Sequence, residues 1–415
     1  MSDGGSGGGG APHPVLSSGR IRLLTFSTLY PNAAAPNHGI FVENRLRHLV
    51  ASGAASAVVM APVPWFPSRD KRFGAWARHA AAPVLEQRAG ITVHHPRFLA
   101  IPKIGMAVAP ALLFAAASQA LARLLAQGQA FDLIDAHYLY PDGVAAVWLG
   151  RRFGLPVVLT ARGSDVTQFP GHAVPRWLIR RAALAADALI TVSAGLRDAL
   201  AGLGVPADRI TVLRNGVDLS LFRPPDAAAR AAARKALGLT GTTLLSVGGL
   251  IPRKGHDLTI GALVHLPDWR LLIAGEGPEH AALSALAARL GVADRVVLLG
   301  ARPHAELPAL YGAADISVLS SAREGWANVL LESMACGTPV VASPIAGNGE
   351  VVQTDAAGTI AAARTPESIA DAVRRIMPDR AATAAYAAGF GWEATTAGQI
   401  ALFSKVLNRK GSVLF

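Results

Sequence analysis

The sequence predicts an α/β protein: two doubly wound domains, each built on a parallel sheet, facing each other across a cleft. Three observations carry that prediction. Short, almost wholly apolar runs such as "RVVLLG" and "TPVVAS" alternate with longer helical patterns, as strands covered on both faces of a parallel sheet do. The alternation breaks once, at "DLSLFRPPDAAARAAARKALGLTG" between Asp218 and Gly241, and then restarts. The length, 415 residues, exceeds what a single core ordinarily serves.

Taken in order, residues 1–19 read as a disordered Gly-rich tail. Residues 20–218 form a first domain that opens on the strand "IRLLTFSTLY", and the helix "IFVENRLRHLVASG" follows it. The strands "ASAVVMAPV", "FDLIDAHY", "LPVVLTARG", "DALITVSA" and "ITVLRNG" then alternate with helices. Residues 219–240 form a linker, its paired prolines followed by a short Ala/Arg-rich helix. Residues 241–395 repeat the pattern, from "TTLLSVGGL" through "WRLLIAGEG", "RVVLLGA" and "DISVLSS" to "TPVVAS". The segment 396–415 reads as a helix packing back on the first domain. In open parallel sheets ligands lie at the carboxyl ends of the strands, so chemistry is sought in the strand-to-helix loops.

Composition narrows the field before any motif. Hydrophobic residues are 51% and charged residues 16%, ample for two cores. The apolar segment from Met106, "MAVAPALLFAAASQALARLLAQG", is broken by Ser118, Gln119 and Arg123 and reads as a buried helix of a soluble protein. A single cysteine, Cys336, excludes a disulfide framework and points to a reducing compartment. The first residues hold no apolar stretch of secretory type, so a cytoplasmic location is expected. The net charge of +11 is scattered, without Lys/Arg runs interleaved with aromatics. No nucleic-acid partner is therefore expected, whereas an anionic lipid or a phosphorylated small molecule suits the charge.

Two loops concentrate the chemistry. In "SVGGLIPRKGHD", Gly248 and Gly249 follow a strand and permit close backbone approach, and Arg253 and Lys254 stand where a diphosphate would lie. The alternative is a glycine turn followed by two solvated charges. In "SSAREGWANVLLESMACGTPVVAS", Glu324 falls in a loop and Glu332 inside a helix stopped by Gly337 and Pro339. The helix start near Trp326, Asn328 and Val329 offers amides and a positive dipole end to an anion. The two carboxylates can accept from hydroxyls on either side of it, the distribution of a sugar nucleotide. The competing reading has Glu332 paired to an arginine and Glu324 capping the helix.

This stretch resembles the E-x(7)-E signature of the retaining glycosyltransferases of family 4, whose fold is GT-B, two Rossmann-like domains. "VGGLIPRKG", "IAGEGPEH", "VVLLGARPHAELPALYGAADISVLSS" and "VLRNGVDLSLFRP" resemble further family blocks in the same order, from about Arg20 to about Trp392. The resemblance implies transfer of a sugar from a nucleotide-diphosphate-sugar to a glycan or lipid-linked acceptor, with a bacterial polysaccharide or glycoconjugate as product. It places Arg253 and Lys254 on the diphosphate, Glu332 on ribose hydroxyls and Glu324 on the donor sugar. It also puts the backbone around Arg302 at the base, and Gly325 to Val329 above the phosphates. No cofactor or metal is implied, and the chain has no Asp-x-Asp pair. Where many members carry a histidine, this chain reads "TARGSDV", so Arg162 becomes a candidate for a phosphate or the sugar, with Asp165 beside it. His137 in "DAHYLYPDG" is a candidate to line the cleft or a structurally satisfied histidine. Gly39 in "NHGIFVENRL" either lets backbone approach the leaving phosphate or serves as a helix-start glycine.

Acceptor selection is expected in the first domain. Its segment from Ala61 to Lys103 holds Trp65, Phe66, Phe73, Trp76 and Phe98, with seven Lys/Arg against Asp70 and Glu86. That composition suits peripheral attachment to an anionic inner-membrane surface, or else an aromatic cluster over the sheet with a basic rim. Two other classes compete with transfer. A nicotinamide dehydrogenase would need G-x-G-x-x-G after a first strand, and "AGEGPEH" lacks the third glycine. A non-catalytic sugar-nucleotide-binding protein or a sugar-nucleotide epimerase of the same fold would keep the cleft.

Overall fold

In the computed structural model, which describes residues 19–100 and 105–411, the strands assemble into two separate sheets. The Gly-rich tail lies, except for Gly19, outside the described residues. The first lobe contributes β1 (Ile21–Phe26), β2 (Ala55–Met60), β3 (Val63–Pro64), β4 (Leu85–Arg88), β5 (Ile91–His94), β6 (Arg97–Phe98), β7 (Leu133–His137), β8 (Val157–Ala161), β9 (Ala188–Thr191) and β10 (Ile210–Val212). The second contributes β11 (Thr243–Val247), β12 (Arg270–Ala274), β13 (Val296–Gly300), β14 (Ile316–Leu319), β15 (Val340–Ala342) and β16 (Gly358–Ile360).

The first sheet runs β10-β9-β8-β7-β1-β2-β5-β4 and the second β13-β12-β11-β14-β15-β16, while β3 and β6 pair by themselves. Both large sheets reverse winding direction beside their first strand, between β1 and β7 and between β11 and β14. Connections leave to opposite faces there and open a crevice at the carboxyl edge.

The expectation of wholly parallel sheets fails at one edge, where β4 pairs antiparallel with β5. The turn between them uses Ala89 and Gly90, both with positive φ, the backbone of a two-residue hairpin. "LEQR" is partly exposed instead of apolar, as an edge strand must be. Glu43 on the Ile40–Ala51 helix holds Arg88 of this strand, Nε to Oε1 2.7 Å.

The Gly105–Ala126 helix corrects a second expectation. Only one stripe is buried, including Leu113, Ala117, Leu121 and Leu124, whereas Met106 and Val108 are exposed. Alanine lines much of the outer face, so composition hid the amphipathic pattern.

The stretch read as a linker docks on the second lobe. Asp226 caps the Ala227–Ala236 helix by accepting from Ala229 N at 2.7 Å, and Arg230 and Arg234 both reach Asp315, at 2.6 and 3.3 Å. The last helix, Glu393–Gly411, returns to the first lobe, where Phe403 and Val406 bury among Tyr30, Val42, Leu46 and Leu49. One buried cluster takes in residues of both lobes and of the crossover, Val217, Phe222 and Trp326 among them. The crevice edges of the two sheets thereby confront each other.

Candidate active site between the lobes

A cavity of about 590 Å³ occupies the space between the two crevice edges. Its walls come from the loops after β1, β7 and β8 on one side and after β11, β12, β13 and β14 on the other. Of the residues singled out in the sequence as catalytic or donor-binding candidates, all line it except His137 and Asp165.

On the second-lobe wall, β11 is followed by Gly248, whose φ is 155° and whose absent Cβ leaves room for the Lys254 side chain to lie across the strand end. Gly249 meets nothing closer than 3.7 Å there, so its small size is not required sterically. Lys254 and Arg253 do not project into empty space. Lys254 Nζ lies 2.7 Å from Glu324 Oε1, Arg253 Nη1 lies 3.6 Å from Oε2, and Ser321 Oγ donates to Oε1 at 2.7 Å. Burial works against the Glu324 charge, but Lys254, Ser321 and Arg253 outweigh it and hold the carboxyl below its ordinary range. The basic pair and the first glutamate are thus one ionic unit.

Glu332 faces the cavity eight residues on, from within the Asn328–Ala335 helix. The reading that pairs it with an arginine does not hold: His304 Nε2 lies 3.1 Å from Oε1, and the Tyr311 hydroxyl donates to Oε2 at 3.2 Å. The helix itself starts without a side-chain cap at Ala327; Asn328 N and Leu330 N donate to the Trp326 and Ala327 carbonyls at 3.1 and 3.0 Å, so it is the Val329 amide, with the dipole of the helix start, that is offered to an anion. Trp326 is buried and donates from Nε1 to the Asn215 carbonyl at 3.0 Å, so it anchors the helix start. The Asn215 amide continues that anchor to Asn328 Oδ1 at 3.2 Å. The Arg302 carbonyl accepts from Asn37 Nδ2 of the first lobe at 3.2 Å, a cross-cleft contact at the expected base edge.

On the first-lobe wall the structure corrects two sequence expectations. His137 ends β7 with its side chain turned inward: Arg162 Nη2 donates to its Nδ1 at 2.7 Å, and its Nε2 lies 3.2 Å from Asp135. Complete burial, with Arg162 nearby, pushes its pKa down to about 4 against the pull of Asp135, so it is neutral and structural. Asp165 is fully buried and accepts from the backbone amides of Leu139, Arg162 and Gly163 at 2.7 to 3.1 Å. It shapes the loop after β8 and cannot meet a ligand. Arg162 does reach the cavity, stacked over Phe41 at 5.4 Å and donating to Asn215 Oδ1 at 2.9 Å. Gly39 has φ 69°, and a Cβ there would stand 2.8 Å from Tyr30 N and collide with the Leu29 carbonyl. Its own chain therefore requires glycine, whatever lies in the cavity.

Sequence reasoning passed over His304, Tyr311, Asn215 and Tyr138. All four stand inside blocks singled out for other residues, "ARPHAELPALYG", "VLRNG" and "DAHYLYPDG". Tyr138 carries φ 83°, a conformation costing a β-carbon residue roughly 1–3 kcal/mol, and its hydroxyl pairs with Ser164 Oγ. Local spacing gave no signal for that strain.

Comparison with known proteins agrees with this geometry. Residues 39–221 match the family described as Glycosyltransferase Family 4, and residues 230–389 match Glycosyl transferases group 1. The D-inositol 3-phosphate glycosyltransferase of Mycobacterium tuberculosis is 31% identical over 304 residues, 67% of this chain and 62% of that protein. The match thus spans less than two thirds of that relative's length. Sucrose-phosphate synthase from Thermosynechococcus elongatus superposes with a TM-score of 0.76 at 21% identity, over 94% of this chain and 100% of that one. Anabaena HepE in complex with UDP-glucose gives 0.67 at 21%, over 95% and 100%. Two doubly wound lobes meeting at their switch points, with these neighbours, define the GT-B fold class. The chain belongs to glycosyltransferase family 4, the glycosyl transferases of group 1.

Proposed function

We propose that the protein transfers a sugar, with retention of anomeric configuration, from a nucleotide-diphosphate-sugar to a glycan or lipid-linked acceptor. The observation that carries the proposal is the convergence of Lys254, Arg253, Glu324 and Glu332 on one interlobe cavity beside an uncapped helix start. As the donor's glycosidic bond breaks, negative charge grows on the departing diphosphate. Lys254 and Arg253, already held in place by Glu324, neutralise it without reorganisation, and the positive end of the Asn328–Ala335 helix adds to the effect. Glu324 fixes the cations and reaches the donor sugar; it is no nucleophile in this scheme. The acceptor hydroxyl attacks on the face from which the diphosphate leaves, and a phosphate oxygen takes its proton. The two cations stand in the role a metal serves elsewhere, so metal-independent turnover is part of the proposal.

The acceptor belongs to a bacterial polysaccharide or glycoconjugate pathway, and the protein works in the cytoplasm, attached peripherally to the inner membrane face. Exposed Trp65, Trp177, Met106 and Val108 on the first lobe, with basic Arg69, Lys71 and Arg72, support the attachment. Phe66 packs against both Phe73 and Trp76, while Phe73 stays exposed alongside Trp65. Flotation with liposomes should show binding that depends on anionic lipid; none would remove the membrane from the scheme.

The transfer itself is tested by thermal shift against UDP-, GDP- and ADP-sugars, followed by donor hydrolysis. Lys254→Ala and Glu332→Ala should each lower turnover about 10²-fold or more with an unchanged far-UV spectrum. Near-normal turnover in both refutes the assignment.

A further inference from the structure

Both oxygens of Glu332 are engaged by protein on one side. His304, in the turn after β13, and Tyr311, on the Leu307–Ala313 helix, each take one oxygen, at 3.1 and 3.2 Å. An ionised carboxylate has about four lone-pair sites, so each oxygen retains a second one. Glu332 lines the cavity, and those remaining sites are what a ligand meets.

The two donors are themselves fixed. Phe222, from the crossover between the lobes, packs edge-on against His304 at 5.1 Å and against Tyr311 at 6.1 Å between centroids. Thr338 Oγ1 donates to the Tyr311 carbonyl at 2.6 Å, and the Tyr311 ring is buried. Facing a carboxylate, His304 donates through Nε2 whether the ring is neutral or charged. Burial disfavours its charge, but the hydrogen bond and charge of Glu332 outweigh burial and raise its pKa. Neither ring touches the basic pair or the sugar end of the cavity in any hydrogen bond among the described residues.

We infer that His304 and Tyr311 are positioning residues for nucleotide recognition. They turn the Glu332 carboxylate so that one free acceptor site on each oxygen faces the cavity, a two-point seat for the adjacent 2′- and 3′-hydroxyls of a ribose. The inference rests on the donor reading above and adds its selectivity. A ribonucleoside diphosphate fills both sites, whereas a 2′-deoxy analogue leaves one oxygen of a sequestered carboxylate facing nothing.

The test is calorimetric titration of UDP, GDP and ADP, and of the 2′-deoxy analogue of whichever binds, into the full chain. The parent should prefer the ribonucleotide by roughly tenfold or more. Tyr311→Phe and His304→Ala should each weaken the ribonucleotide about tenfold while changing the 2′-deoxy analogue less than threefold, so that the preference collapses. His304→Gln, whose amide can donate to the same oxygen, should restore most of it. In turnover, the variants should raise the donor KM with kcat within about twofold. A merely structural role for either ring would weaken both ligands alike. Ribonucleotide binding with an unaltered preference in Tyr311→Phe and His304→Ala overturns this inference alone. Failure of the parent to bind any of the three diphosphates overturns it together with the donor reading.

Discussion

Gly325 packs directly against backbone of the opposite lobe, and adding one methyl group there tests whether the approach of the lobes is needed for turnover. A Cβ on Gly325 would stand 2.0 Å from the Arg162 carbonyl oxygen, 2.8 Å from its carbon and 3.0 Å from Gly163 Cα, all backbone of the opposite lobe. Carbon and oxygen in contact need about 3 Å or more, so Gly325→Ala demands a separation of about 1 Å. Neither backbone segment is a flexible side chain that could swing aside, and Gly325 has no positive φ that alanine would strain. The relief must come from opening the cleft. A misplacement of about 1 Å between reacting groups can cost about 10²-fold in rate, equivalent to about 2.7 kcal/mol of barrier. Nucleotide affinity should change less than about threefold, because Lys254, Glu324 and Glu332 all belong to the second lobe. Donor hydrolysis and calorimetric titration of the nucleoside diphosphate read the two effects separately. Gly349→Ala, whose new Cβ would meet no atom within 4 Å, is the control. Turnover of Gly325→Ala within threefold of the parent would falsify the reasoning that closure to this distance is required.

Two further perturbations probe the same frame. Glu350, at the end of the Ala346–Gly349 helix of the second lobe, accepts from Ala194 N at 2.9 Å, Gly195 N at 2.8 Å and Arg214 Nη2 at 2.9 Å. It thereby caps the Ala194–Ala201 helix of the first lobe. Glu350→Ala should lower stability by about 1–3 kcal/mol in urea denaturation and reduce kcat/KM with nucleotide affinity near that of the parent; an unshifted midpoint contradicts the latch. Asp142 is fully buried and accepts from Thr28 N at 2.7 Å and Thr28 Oγ1 at 3.0 Å, and burial pushes its pKa up to about 7 against those hydrogen bonds. The folded state therefore binds this proton more tightly than the unfolded chain does. Stability associated with it is full below the ordinary carboxylate range and falls as pH rises towards and past 7, by at most ~4 kcal/mol. Asparagine can accept from Thr28 N and donate to its hydroxyl, so Asp142→Asn should raise Tm more at pH 8 than at pH 5. An equal shift at both values would count against a buried acid there.

What could be read from the sequence was local. Largely apolar runs such as Val157–Ala161 and Val340–Ala342 announce buried strands because a strand covered on both faces meets apolar surroundings along its whole length. Glu324 and Glu332 were legible because a loop, a helix start and a helix interior are set by neighbours a turn apart. The edge strand β4 escaped because its partner face is water and its partly exposed polar sequence resembles a loop.

The tertiary structure decided which charged and polar groups meet. Lys254 and Glu324 are 70 residues apart, His304 and Glu332 are 28 apart, and Arg162 and Asn215 are 53 apart. No periodicity links such positions. A buried charge must take whichever partner shares its low-dielectric surroundings, and the folding of two sheets against each other chooses that partner. The same packing turned His137 and Asp165 inward to brace Arg162 and its loop, and brought Gly325 against the opposite lobe. The kinds of residue at the strand ends were written in the chain; their pairing depended on the burial that only the assembled lobes create.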